Sequence, residues 1–354
     1  MHEINRRNFL QTGALAAAGT AFVPETEPHL TRGIVLYPFD LSLTDWPERC
    51  AKAGINTIGL HAARRLDVLI DYIQSDAGQS FLSRCAKLGI AVEYELHAMG
   101  ELLSRELYYK DPTLFRMDEN GRRNPDSNCN PFSKAALDII AEKAVHYAKI
   151  LKPTTHRFFY WPDDGAKWDE SPEGKTIKAS DQALLVENHI LDALRREVDP
   201  QALLSHISYH HTLAAPKQVR PAAGIFLEFA PIARDYSRPI TDRETKTRQP
   251  HANYPDPTTN RGYLDILETN MTVFGAEQTQ VLEYWLDVSM FSQWKRPAKK
   301  LPWNEEVCRA DIAAYRKLGV KHITTFATYI DADYVKLHGD PQPVLDQYGK
   351  AFTL

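Results

Sequence analysis

Cysteine is scarce in this chain: four residues among 354, at Cys50, Cys85, Cys129 and Cys308, with no C-x-x-C pair. That spacing supports neither a zinc cluster nor a disulfide framework. Excess positive charge is also missing, and a net charge of −4 argues against nucleic acid or an anionic membrane as partner. No internal repeat or low-complexity segment interrupts the sequence. No glycine-rich turn follows the first strand-like run, as an open dinucleotide-binding sheet would usually bring. What remains is an ordinary soluble composition, 43% hydrophobic and 25% charged. A single α/β barrel commonly fills this length.

The first residues read differently from the rest. Arg6 and Arg7 stand just before Phe9 and Leu10, and an alanine-rich apolar stretch runs from Thr12 to Val23. Residues 1–23 therefore resemble a twin-arginine export signal, with processing expected around residues 20–24. The expectation is a folded protein passed through the twin-arginine export machinery to the periplasm or the medium. No membrane association is expected of the mature form.

From residue 30 to 354, strand-like and helix-like stretches alternate. Strands are expected at Gly33–Phe39, Asn56–His61, Ile90–His97, His156–Trp161, Leu203–Tyr209, Gly224–Phe229, Gln280–Leu286 and His322–Thr328. Helical sequence at 46–53, 66–88, 134–150, from an N-cap at Ser180, at 263–274 and at 304–318 separates most of them. Eight such units predict one closed (β/α)8 TIM barrel. Two polar loops, 111–131 after strand three and 231–262 after strand six, are long for connectors. The second carries Arg234, Asp235, Asp242 and His251. Both would lie over the catalytic face of such a barrel.

The most telling stretch is His156–Gly165, an aromatic run that ends in Pro162 and the adjacent carboxylates Asp163 and Asp164. The same segment is also good turn chemistry. Elsewhere, period two puts Glu93, Glu95 and His97 on one face of strand three, and Glu283, Trp285 and Asp287 on one face of strand seven. Glu228 interrupts an apolar run, strand five ends in Tyr209, His210 and His211, and strand eight continues to Tyr329 and Asp331. Carboxylates in such runs are costly to bury unless they are paired or functional. With Trp161, Tyr209, Tyr284, Trp285 and Tyr329 among them, the rim suits a sugar: aromatic planes for its C–H faces, carboxylates and imidazoles for its hydroxyls.

Several of these motifs resemble a bacterial domain-of-unknown-function family that includes glycoside hydrolase family 163, whose members are endo-β-N-acetylglucosaminidases. They are Asp118-Glu-Asn-Gly-Arg-Arg through Cys129-Asn-Pro131, Trp161-Pro-Asp-Asp-Gly165, Ser180-Asp-Gln182, Pro231-Ile-Ala-Arg234 and Tyr284-Trp-Leu-Asp287. Relatives often carry a cysteine-rich stretch ahead of the Ser-Asp-Gln segment, whereas Lys167–Ala179 has none. The resemblance implies a barrel glycosidase acting on a glycan containing N-acetylhexosamine.

The sequence thus leads to a glycoside hydrolase with Asp163, Asp164 and Glu283 as catalytic groups. Asp164 would protonate the leaving oxygen. Asp163 would orient an N-acetyl group as internal nucleophile, or Glu283 would serve as the enzymic nucleophile. Glu95, His97, Trp161, Tyr209, His210, His211, Glu228, Tyr284, Trp285, Asp287, Tyr329 and Asp331 would contact the carbohydrate. No cofactor is expected in that reading. One alternative is a sugar isomerase or epimerase holding manganese or magnesium on Glu95, His211, Glu228 and Glu283. Another is a barrel that binds glycans without cleaving them.

Overall fold

The computed structural model describes residues 30–62, 65–248 and 254–353. The expected export signal and His251 lie outside the described residues. Eight parallel strands, β1 (Thr31–Leu36), β2 (Thr57–Ala62), β3 (Ala91–His97), β4 (Arg157–Trp161), β5 (Leu203–Ser208), β6 (Ile225–Phe229), β7 (Thr279–Glu283) and β8 (His322–Phe326), close on themselves in sequence order. Pairing runs from β1 to β2 around to β8 and back to β1, with Glu95 opposite Phe159 and Glu283 opposite Thr325. Parallel pairing forces each strand to be followed by a crossover, and the crossovers form the outer layer.

That layer holds α1 (Trp46–Ala53), α2 (Leu66–Gln74), α3 (Asp76–Lys87), α4 (Met99–Leu102), α5 (Lys134–Ile150), α6 (Ala179–Glu197), α7 (Asn260–Phe274), α8 (Val288–Phe291), α9 (Glu305–Lys317), α10 (Ala332–His338) and α11 (Gln342–Lys350). Their amphipathic faces bury Trp46, Ile140, Leu184, Leu194, Tyr263 and Tyr315 against the sheet. None of the helices among the described residues is long and apolar enough to cross a membrane.

The closed barrel matches the expectation, and several element boundaries move. The single helix expected over 66–88 is two, because Ser75 caps α3 by accepting the Gly78 N–H at 3.2 Å. Ser180 is the second residue of α6 rather than its cap. Asp181, beside it, is fully buried and its Oδ1 accepts the N–H groups of Lys217, Gln218 and Val219. That carboxylate satisfies a whole turn of the β5–β6 connection, so the Ser-Asp-Gln motif is a loop anchor. Strand seven ends at Glu283, three residues early, where Asp287 N–H turns back to the Tyr284 carbonyl.

The last helix seals the bottom of the layer. Gly349 of α11 packs against α1 so closely that a Cβ would overlap the Ala53 carbonyl oxygen. Backbone cannot retreat as a side-chain tip can. Gly349→Ala should therefore cost about 1–3 kcal/mol, read as a lower urea midpoint with an unchanged slope. An unaltered midpoint would show that α11 does not dock there.

Candidate active site

Residues Arg157, Phe159 and Trp161 alternate inward along β4 (the guanidinium of Arg157 lies 3.7 Å from the Phe226 ring centroid). Trp161 Nε1 donates to Glu228 Oε2 at 2.7 Å and to Ser205 Oγ at 3.1 Å, fixing the strand end. Pro162, which has no N–H, then stops the ladder. The two carboxylates that follow meet opposite fates.

Asp163 is clamped. Its Oδ1 accepts the Gly100 N–H at 3.1 Å, its Oδ2 accepts the Asn128 N–H at 2.6 Å, and Arg105 pairs with it. Asn128 reciprocates by accepting the Asp163 N–H at 2.9 Å. The long loop after β3 is thereby tied to the end of β4. A carboxylate with this many donors has little capacity left for a substrate, so the expected role of Asp163 in orienting an N-acetyl group is replaced by a structural one.

Asp164 is left open to solvent. Its side chain is 59% exposed, its Oδ1 accepts the Tyr209 hydroxyl at 3.1 Å, and His97 Nε2 stands 3.8 Å away. His97 Nδ1 lies 2.6 Å from the Pro162 carbonyl, which can only accept. The Nδ1 proton is therefore fixed there, and Nε2 turns toward the carboxylate. Gly165, at φ +59°, lets the chain pass beneath Tyr254, whose hydroxyl a Cβ would approach to 2.6 Å.

A belt of rings surrounds this point. His61 lies 5.2 Å from Tyr37, 5.6 Å from His97 and 5.4 Å from Trp161. Tyr209 continues to His210 at 4.0 Å, which stacks on Tyr254 at 3.9 Å. Burial pushes His61 down to about 3, so it stays neutral. His210 is held by Asp256 at 2.9 Å, and the ring of His211 reaches Tyr254 at 5.2 Å. A cavity of about 460 Å³ opens beside Asp164, bounded by Arg65, His97, Glu101, Arg105 and Asp126.

Several expected ligand contacts lie elsewhere. Glu95 and Glu228 are fully buried in the barrel interior, beneath the ring belt. Gly59 makes the room, since a Cβ there would stand 2.5 Å from Glu95 Oε1. Glu228 binds Trp161 and Gln280, and Gln280 in turn accepts from Arg157. Burial, then the neighbouring carboxylates, push Glu95 well up; burial likewise raises Glu228. These are floor groups, not sugar contacts.

Strand seven gives the clearest correction. Gln280 faces inward, so period two turns Glu283 outward, toward α9. There it accepts the Tyr315 hydroxyl and pairs with Arg234 at 3.2 Å, while Arg234 also pairs with Asp311; Arg234, Glu283 and Asp311 are fully buried. Trp285 follows it outward, donating to Asp311 at 3.0 Å and lying 6.2 Å from the Tyr348 ring. Glu283 is out of a substrate's reach and is not the nucleophile. Asp331 is also occupied, capping α10 through the Tyr334 N–H at 2.8 Å and pairing with Arg296 at 2.7 Å.

Asp287, past the strand end, is buried at 4% exposure. Its Oδ1 takes the Ser289 hydroxyl at 2.5 Å, the Thr328 hydroxyl at 2.6 Å and the Met290 N–H at 3.0 Å. No such bond is recorded on Oδ2 among the described residues. The phenols of Tyr37 and Tyr284 are raised first by burial, then by the charge of Asp287, and Asp164 acts on both as well. Two carboxylates from opposite sides of the barrel, β4 and β7, thus bear on the same pair of phenols. Sequence reasoning missed Tyr37, Asp40, Arg105 and Asp256, whose partners His61, Tyr329, Asp163 and His210 are distant in the chain; the position of Tyr37 at a strand end is the one signal that could have flagged it.

The residues proposed to hold manganese or magnesium do not assemble. Glu95 and Glu228 are inside the barrel, His211 is on the rim and Glu283 is in the outer layer. Among the described residues no three His, Cys, Asp or Glu side chains are arranged to hold a metal ion.

The family model described as "Domain of unknown function (DUF4838)" matches residues 71–255. No curated protein matches the sequence. Among solved structures, Gan42B, a GH42 β-galactosidase, superposes with a TM-score of 0.53 at 10% identity, over 92% of this chain and 57% of that one. The catalytic domain of β-amylase from Paenibacillus polymyxa gives 0.49 at 11% identity, over 92% and 98%. The exo-β-1,4-mannosidase Op5Man5 from Opitutaceae bacterium strain TAV5 gives 0.46 at 12%, over 91% and 59%. The chain therefore spans under two thirds of the length of Gan42B and Op5Man5. The likeness is one of barrel fold.

Two predictions follow from these contacts. Glu283→Gln should lower stability by on the order of 3 kcal/mol, as expected on breaking a buried pair, measured by urea unfolding, while ligand binding by the folded fraction is retained. Loss of ligand binding with stability intact would return Glu283 to the site. The second concerns Asp40, fully buried, which accepts the Tyr37 N–H at 2.8 Å and the Tyr329 N–H at 2.9 Å. Burial pushes its carboxyl from 3.8 up to about 7 against the pull of those donors. The folded chain thus holds a proton that the unfolded chain has released. The stabilisation is full below pH 3.8 and is lost as pH rises through about 7. Asp40→Asn should shrink the fall in urea stability between acid and neutral pH; an identical fall would refute the assignment.

Proposed function

The chain belongs to the DUF4838 family, a domain of unknown function, and from that premise we propose that it is a glycoside hydrolase acting on an oligosaccharide or glycan, with Asp164 as proton donor. One observation carries this reading. Asp164 is the solvent-facing carboxylate at the end of β4, partnered by a phenol and an imidazole, while its neighbour Asp163 is consumed by Arg105 and two backbone donors. An acid left without a guanidinium and set beside a belt of rings supports a role in protonating a glycosidic oxygen. Gan42B, a β-galactosidase on the same fold, is consistent with a carbohydrate substrate.

In the proposed reaction the Asp164 proton passes to the leaving oxygen as the bond to the anomeric carbon breaks. Water adds to that carbon, and its proton restores Asp164. Asp287 replaces Glu283 as the second carboxylate. With three donors on Oδ1, Oδ2 is the atom that would turn to the sugar. The resemblance to glycoside hydrolase family 163 supports a substrate bearing an N-acetyl group, whose carbonyl oxygen would then attack the anomeric carbon while Asp287 orients the amide. The twin-arginine-type beginning of the sequence supports a periplasmic or secreted location.

The test is turnover on a panel of aryl glycosides and free N-glycans. Asp164→Asn should reduce kcat by about 10²–10⁴-fold, the usual worth of a general acid, with the unfolding temperature unchanged because the side chain is exposed. Activity equal to the parent's would remove Asp164 from the mechanism. Binding without turnover by the parent would favour the non-catalytic glycan-binding barrel.

A further inference from the structure

The rim beyond β1, β7 and β8 carries exposed aromatic surface that does not line the cavity beside Asp164. Trp294 is 59% exposed and Phe39 is 71% exposed, in the loops after β7 and β1. Single exposed apolar side chains are common and need no explanation. These two are tied into one structure by Tyr329 of the β8 loop. Its N–H donates to Asp40, the residue after Phe39, and its hydroxyl donates to the Trp294 carbonyl at 3.4 Å.

The backbone here is held in unfavourable conformations for the side chains it carries. Gln293, Trp294 and Tyr329 have φ of +56°, +54° and +67°. Such residues persist only where surrounding bonds over-determine them, and they cluster at ligand clamps. The bonds are present: Trp294 N–H donates to the Ser289 carbonyl at 2.7 Å and Gln293 N–H to the Met290 carbonyl at 2.9 Å. Asp287 is the N-cap of the same short helix, α8. One rigid element therefore holds the second carboxylate at its start and the exposed indole just past its end.

The polar surroundings fit a sugar better than a protein partner. Arg296, 42% exposed, lays its guanidinium 4.2 Å from the Tyr329 ring centroid and pairs with Asp331. A flat ring beside a charged hydrogen-bonding group matches the two chemistries of a pyranose, an apolar C–H face and a rim of hydroxyls. An apolar protein anchor would leave that charge desolvated.

Resting on the carbohydrate reading above, we propose that Phe39, Trp294 and Tyr329 form a second sugar-binding subsite, which holds a ring of the chain away from the bond that Asp164 cleaves. The cavity of about 460 Å³ beside Asp164 takes the other side.

The test uses the full chain with Asp164→Asn, which suppresses cleavage, on an array of defined di- to nonasaccharides: N-glycans, chitooligosaccharides, mannan and pectin fragments. The strongest binders are then titrated by calorimetry. Adding Trp294→Ala should weaken binding of glycans of four or more sugars about tenfold and leave disaccharides unchanged; Phe39→Ala should give a smaller loss of the same kind. In the parent, titration should also quench indole fluorescence, and Trp294→Ala should remove that change. Length-independent losses, or none, would overturn the subsite while leaving the hydrolase reading standing. Absence of binding to every glycan would overturn both.

Discussion

Asp163 and its donors are the constraint on which the site depends. The carboxylate joins the Gly100 turn, Arg105 and Asn128 to the end of β4, drawing the long loop after β3 onto the barrel rim. Because it takes those donors, the next residue has none of them. Asp164 is left facing solvent, with Tyr209 and His97 beside it. Adjacent carboxylates in one turn would repel if both were free. Pairing one with a guanidinium lets the other stand at the rim.

A second constraint comes from the barrel interior. Glu93, Glu95, Arg157, Glu228 and Gln280 occupy positions that apolar side chains usually fill. Arg157 is the one positive charge in the group, and burial raises Glu93, Glu95 and Glu228 alike. Within this floor Glu228 accepts from Trp161 and Gln280, and Gln280 accepts from Arg157, which holds Trp161 and the rings above it in place. On the outer side of the sheet, Arg234 with Glu283 and Asp311 does the same for β7 and α9, locking the register of that strand against its helix.

How far the sequence could be read depended on whether the signal was local. The eight strands and most helices were legible, with Trp46–Ala53 and Lys134–Ile150 recovered to the residue, because apolar periodicity and glycine stops act within a few positions. The paired acids after β4 were legible for the same reason. The face to which Glu283 points was not, since a strand buried on both sides shows no amphipathic bias. Glu95 and Glu228 looked like rim groups because the sequence gives their phase along the strand but not their depth in the barrel.

By itself, the sequence determined the barrel, its strand order, and the delivery of carboxylates and aromatic rings to the ends of β3, β4, β5 and β7. Those properties follow from periodicity and from right-handed parallel crossovers, which leave few other arrangements. Only the tertiary structure decided which acids are spent on internal partners and which stay open to solvent. Whether a carboxylate is spent or free depends on donors such as Arg105, Asn128 and Arg234, which are dozens of residues away and reach it only once the barrel has closed.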